Sequence, residues 1–192
     1  MLTRRHAIML APAAVLGAGL VGAAVFAANR SPDAVPIGGP FTLLDGDDHT
    51  VTDQAFRGRW MMVYFGYTHC PDACPTALQD MANAVDQLGA KKNEVAIVFI
   101  TIDPERDTPT VMKDYVAAFE AGIVPLSGSM DAVAGAARAY RVYYAKHPTK
   151  DGAYDMDHSS IIYLMDPRGR FVANFTHETP PDQIAAKLKT LV

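Results

Sequence analysis

Cys70 and Cys74 are the only cysteines in the chain, and they stand four positions apart in Cys70-Pro71-Asp72-Ala73-Cys74-Pro75. Two thiols at that spacing can close a disulfide or, as thiolates, grip one soft metal ion. A disulfide here would enclose a very small loop and constrain the unfolded chain little, which argues for function over scaffold. Pro75 suits the first turn of a helix. That places Cys74 near the N-cap, where unpaired N–H groups and the positive end of the helix dipole favour a thiolate.

Two thiolates select Cu(I) among the metals met outside the cytoplasm, whereas Zn(II) ordinarily takes four protein ligands. A third ligand should be an imidazole. His158 lies in Asp155-Met156-Asp157-His158-Ser159-Ser160, directly before the apolar run Ile161–Met165. His49, His147 and His177 sit in polar segments and read as surface residues, and His6 precedes the apolar N-terminal stretch. His69 adjoins Cys70, but neighbouring side chains on extended chain point to opposite faces, so it too reads as a surface residue. Asp103 follows a second apolar run. It is a candidate to orient His158 from behind or to be a weak extra ligand for Cu(II), against the alternative that Asp103-Pro104 only starts a turn. Asp72 either tunes the charge of the dithiol loop and contacts a partner, or caps the helix. Met156 reads as packing, and Tyr64, Phe65 and Tyr67 as core and rim of the site.

The elements that must position these groups follow from hydrophobic patterning. Residues 60–67 (WMMVYFGY) and 95–102 (VAIVFIT-I) are apolar almost throughout, as strands buried on both faces are. Helices are predicted from Pro75 to Gly89, from Thr108 to Gly122, over 131–140 and over 182–192. A small hairpin is predicted over 41–51, and an antiparallel pair, 161–165 and 171–175, around the turn Asp166-Pro167-Arg168-Gly169. The fold class is therefore α/β, a mixed sheet flanked by helices. A dithiol between the first long strand and its helix is the thioredoxin-like arrangement. The gap here is one residue longer than in Cys-x-x-Cys oxidoreductases, which widens the bite between the sulfurs. In such a fold the loop before Ile161 faces the dithiol, where redox enzymes carry a cis-proline. Here a histidine and two serines stand in its place, which favours the metal reading.

Residues 7–28 carry no charge and follow Arg4-Arg5. That length suits a membrane span of about 20 residues, with the N-terminus in the cytoplasm and the remainder exported. A signal peptide cut after Ala27 or Ala28 is the alternative. The expected organisation is an anchor or signal segment over 1–30, a Pro/Gly-rich linker over 31–40 and one domain over 41–192. The exported part holds 14 Lys and Arg against 21 Asp and Glu, a net charge near −7, which excludes nucleic acid as a natural partner.

Three blocks carry a family resemblance. Tyr64-Phe65-Gly66-Tyr67-Thr68-His69-Cys70-Pro71-Asp72-Ala73-Cys74-Pro75 resembles the signature of the SCO/SenC copper chaperones. Thr101-Ile102-Asp103-Pro104-Glu105-Arg106-Asp107-Thr108-Pro109 is similar to the family's second motif, and Asp157-His158-Ser159 with Tyr163–Gly169 to its third. The resemblance implies a membrane-tethered, thioredoxin-like domain facing the periplasm, or a soluble periplasmic form if the segment is cleaved. It implies copper, as Cu(I) and also Cu(II), held by Cys70, Cys74 and His158. The expected partners are cytochrome c oxidase subunit II, whose Cu-A centre receives the metal, a periplasmic copper donor and a thiol reductant. A thiol–disulfide reductase that keeps the Cu-A cysteines reduced is the alternative. A peroxidase needs Thr-x-x-Cys, a spacing that Thr68-His69-Cys70 lacks.

Overall fold

Apolar runs of seven residues have to be covered on both faces, and the two in this chain lie side by side at the centre of a sheet. The structure is a computed structural model that describes residues 36–119, 122–150 and 152–192. The expected membrane or signal segment, and residues 31–35 of the expected linker, fall outside the described residues. The unit Pro36–Val192 begins with β1 (Thr42–Leu44) and β2 (Thr50–Thr52), the expected antiparallel hairpin. Then come β3 (Trp60–Gly66), α1 (Ala73–Asp86), β4 (Val95–Thr101), α2 (Pro109–Val116), β5 (Val124–Leu126) and α3 (Met130–Ala139). The chain closes with β6 (Tyr144–Pro148), β7 (Tyr154–His158), β8 (Ile161–Met165), β9 (Phe171–Thr176) and α4 (Pro181–Lys189).

Five strands form the central sheet in the order β5-β4-β3-β8-β9. β3, β4 and β5 run parallel, while β8 and β9 are antiparallel. Every residue of β4 is buried, as is all of β3 beyond Trp60. Two helices begin where the sequence signals them: Thr108 and Ser129 cap α2 and α3 by accepting the N–H of Val111 and Ala132, and Pro109 occupies the first position of α2. α1 instead opens at Ala73, two residues before Pro75, and so takes Cys74 inside the helix. Among the described residues no helix is long and apolar enough to cross a membrane.

Two features depart from the expected element list. β5 is a three-residue strand with Pro125 at its centre, on the sheet's edge, where a missing N–H is tolerated. Residues 144–158, read as polar loop, form the hairpin β6–β7, in the register Tyr144↔His158 to Pro148↔Tyr154. Its alternation is real but short, and charged residues fill its outer face. His158 is therefore the last residue of a strand, not part of a loop.

The end of β3 has to admit a sulfur atom. A Cβ at Gly66 would stand 2.5 Å from Cys74 Sγ, 3.0 Å from Phe99 and 3.1 Å from Tyr64, so only glycine lets α1 begin this close to the sheet. Gly66→Ala is expected to destabilise the reduced protein by about 1–3 kcal/mol in urea denaturation. A variant as stable as wild type would show that Cys74 has room to retreat.

Candidate metal centre

Cys70 ends the turn after β3, its N–H donating to Tyr67 O at 3.2 Å. α1 opens at Ala73 with Asp72 at the N-cap. The first-turn N–H groups of a helix point back along the axis, so the sulfur in front of the helix receives them, not the one inside it. Cys70 Sγ accepts the Cys74 N–H at 3.4 Å. The Cys74 thiol beside it, the His158 ring and the backbone N–H groups of Asp72 and Cys74 together hold the Cys70 thiol at a pKa of about 3, although partial burial opposes them. Cys74 is fully buried, and that burial, with the Cys70 thiolate next to it, pushes its own thiol well above the usual range. The helix terminus, expected to favour a thiolate at Cys74, acts on Cys70 instead: the Cys74 N–H meets the Cys70 sulfur, and the pKa of Cys70 is lowered while that of Cys74 is raised.

His158 reaches the pair from the end of β7. Its Nε2 lies 3.6 Å from Cys74 Sγ, and its Nδ1 lies 3.3 Å from Ser159 O. With Nδ1 turned to that carbonyl, Nε2 is the ring nitrogen that faces the sulfurs. The ring stands edge-on to Tyr64 and Tyr67, with centroids at 6.1 and 5.8 Å. The ligand atoms of Cys70, Cys74 and His158 all lie within 4.8 Å of one another. Thiolate sulfur and imidazole nitrogen sit about 2.0–2.3 Å from a bound ion, so one ion could bridge all three with little movement.

The dithiol turn is tied to the sheet by a residue that the sequence reading took only as a helix start. Asp107 is fully buried. Its carboxylate accepts the Thr68 N–H at 3.0 Å, the Thr68 hydroxyl at 2.6 Å and the Thr101 hydroxyl at 2.7 Å. These three bonds compensate its burial and fix the turn against the end of β4.

Asp103 does not meet the imidazole. Its carboxylate is occupied by the Arg106 guanidinium and by the Tyr154 hydroxyl at 2.9 Å, while both ring nitrogens of His158 have other partners. The role of orienting His158 directly is therefore not the one its contacts give it. Asp72 is exposed and makes no side-chain cap, so it acts on the site through its backbone N–H. His49, His69 and His147 are exposed as expected, with Asp45, Thr68 and Asp157 as their neighbours. Met156 is buried in the core. Arg106 and Tyr154 were not singled out from the sequence, because partners 48 residues apart leave no periodic signal.

A mixed sheet flanked by helices, with a dithiol at a strand–helix junction and a histidine brought over it, defines a thioredoxin-like domain with a sulfur–imidazole site. The family model described as SCO1/SenC matches residues 29–192, and the chain belongs to that family. Protein SCO1 homolog 1, mitochondrial, of Arabidopsis thaliana is 42% identical over 149 residues, 76% of this chain and 45% of the relative. The chain thus spans about half the length of that protein. The structure of Bradyrhizobium japonicum ScoI with copper bound is 46% identical, with a TM-score of 0.76 over 81% of this chain and 99% of the other. BsSco, a member of the Sco family of cytochrome c oxidase assembly proteins in which a disulfide switch was identified, is 25% identical, with a TM-score of 0.64 over 82% of this chain and 95% of the other.

Only a thiolate is alkylated. A lowered Cys70 pKa keeps the reactive form present below neutral pH, so iodoacetamide should label Cys70 of the reduced protein at a nearly constant rate from pH 8 to about pH 5. A rate still climbing with pH between 7 and 8 would mean an ordinary thiol.

Proposed function

We propose that this protein is a copper carrier in cytochrome c oxidase assembly, holding one copper ion between Cys70, Cys74 and His158 and delivering it to the Cu-A centre of subunit II. The observation that carries this reading is the convergence of two sulfurs and one imidazole nitrogen within 4.8 Å. That donor set is soft, carries too few groups for a closed four-ligand zinc site, and suits Cu(I). The copper-bound relative and the oxidase-assembly relative support it.

Loading displaces the Cys74 proton, because the metal needs both sulfurs as thiolates. Cys70 is partly exposed and Cys74 is not, so an acceptor thiolate approaches the ion from the Cys70 side. Ligand exchange then runs through an ion shared between Cys70 and the acceptor, with Cys74 and His158 released last. Neutral His158 adds affinity without adding negative charge, so the ion stays exchangeable. The same residues accommodate Cu(II) in a tetragonal set completed by solvent or a partner group. In this reading residues 1–30 tether the domain to the bacterial cytoplasmic membrane, 31–40 space it away, and 41–192 face the periplasm. A copper donor and a thiol reductant supply the metal and keep Cys70 and Cys74 reduced.

The asymmetry of the two sulfurs favours a second reading, a thiol–disulfide reductase. The Cys70 thiolate would attack an acceptor disulfide, forming a mixed disulfide and releasing one acceptor thiol. Cys74 would then displace the second, leaving Cys70–Cys74 oxidised and the acceptor reduced by two electrons.

Titrating the reduced protein with Cu(I) separates the two. One equivalent should bind tightly, and Cys70→Ala should abolish that binding. His158→Ala should weaken it by about tenfold or more, since losing a ligand costs at least what losing a ligand's supporting partner does. Wild-type affinity in His158→Ala, with both cysteines still required to reduce a disulfide, would favour the reductase.

A further inference from the structure

Among the described residues, the hairpin that carries His158 shares no ladder with the central sheet, and β6 and β7 pair with each other. The hairpin is tied to the sheet at its His158 end, where β7 runs through Ser159 and Ser160 into β8, and by Met156 in the core, which leaves the start of β7 to be fixed. Tyr154, the first residue of β7, lies on the same face as Met156 and His158 by the strand's period of two. The loop after β4 grips it, with Glu105 Oε2 also 3.5 Å from its hydroxyl. Its hydroxyl donates to Asp103 Oδ1 at 2.9 Å. Its backbone carbonyl accepts from Arg106 Nη1 at 3.0 Å. Its ring lies under the Arg106 guanidinium, 3.8 Å from Cζ to the centroid.

Arg106 is in turn locked by its Nε bond to Asp103, whose side chain is only 3% exposed. A planar guanidinium can serve a carboxylate, a carbonyl and an aromatic face together, which an ammonium cannot. The same guanidinium stands 5.8 Å from the ring of Tyr67, and Tyr67 meets His158 edge-on at 5.8 Å. The strand is thus held at its start by Tyr154 and flanked at its end by a ring that shares the same cation.

We propose that Asp103, Arg106 and Tyr154 form a clamp that sets where His158 stands over the dithiol, which makes Arg106 a positioning residue for the copper site; this rests on the copper-carrier reading above. The clamp binds no metal. It removes the freedom of the hairpin before metal arrives, so the third ligand is already in place when the sulfurs engage.

The test uses the full-length reduced protein. Removing Arg106 alone would strand a buried carboxylate, so the main variant is Arg106→Met with Asp103→Asn. Tyr154→Phe is the milder one, because it keeps the ring and loses only the hydroxyl bond. In the metal-free protein, hydrogen exchange of the Asp155 and Asp157 amides, which face His147 and Ala145 at the hydrogen-bonded positions of the hairpin, should quicken by about tenfold in the double variant and by less in Tyr154→Phe. The His158 ring-proton shifts, set by Tyr64 and Tyr67, should move in the same order. Cu(I) affinity should fall by about tenfold, with no further fall when the clamp variant is combined with His158→Ala. Unchanged exchange and ring shifts would overturn the clamp, and so would a loss of affinity that adds fully to that of His158→Ala. Absence of tight copper binding in wild type would instead overturn the copper reading, while the metal-free readouts still decide whether the clamp places His158.

Discussion

The N–H groups of the first turn of α1 have no partners inside their helix, and Cys70 sits where they point. Together with the Cys74 thiol and the His158 ring, this contact lowers the pKa of one of two neighbouring thiols, while burial raises that of the other. It requires α1 to start hard against the end of β3, which Gly66 permits by having no side chain in the space that Cys74 Sγ fills. It also requires the turn from Tyr67 to Asp72 to hold its shape without a disulfide. Asp107 meets that need from the neighbouring strand's end, with three donors on one buried carboxylate. The pair is therefore asymmetric by construction: one sulfur is partly exposed and anionic, the other enclosed between helix and sheet.

The imidazole is supplied on a different principle. The cysteines flank the junction of a central strand and its helix, whereas His158 ends a separate hairpin that runs on through Ser159 and Ser160 into β8. Two buried aspartates in the same motif divide this work, Asp107 toward the dithiol turn and Asp103 toward the hairpin. Both lie just beyond the buried strand β4, so the rigid middle of the sheet positions both halves of the site. The family match and the copper-bound relative fit a site of this design, which is partly exposed on the Cys70 side.

Much of this was legible in the residues. Continuous apolar runs marked β3 and β4, capping residues and prolines marked the helix starts, and the dithiol lay at the expected strand–helix junction. His158 stood out because it precedes a buried strand. The β6–β7 hairpin did not, because Lys146, His147, Asp155 and Asp157 mask its alternation. β5 was hidden by its proline and its length. The helix terminus was read as acting on Cys74, whereas the N–H of Cys74 turns to the sulfur of Cys70, because Cys74 lies inside the first turn and its N–H points ahead of it. Asp103 was read toward His158 for want of any sequence signal that Arg106 and Tyr154 occupy it; such pairings depend on the fold, not on local pattern.

X-ray absorption at the copper edge of the reduced, Cu(I)-loaded protein tests the central claim most directly. The expected first shell is two sulfurs at about 2.3 Å and one nitrogen at about 2.0 Å, the distances at which thiolate and imidazole hold a small closed-shell ion. A shell without nitrogen, or with a single sulfur, would contradict it.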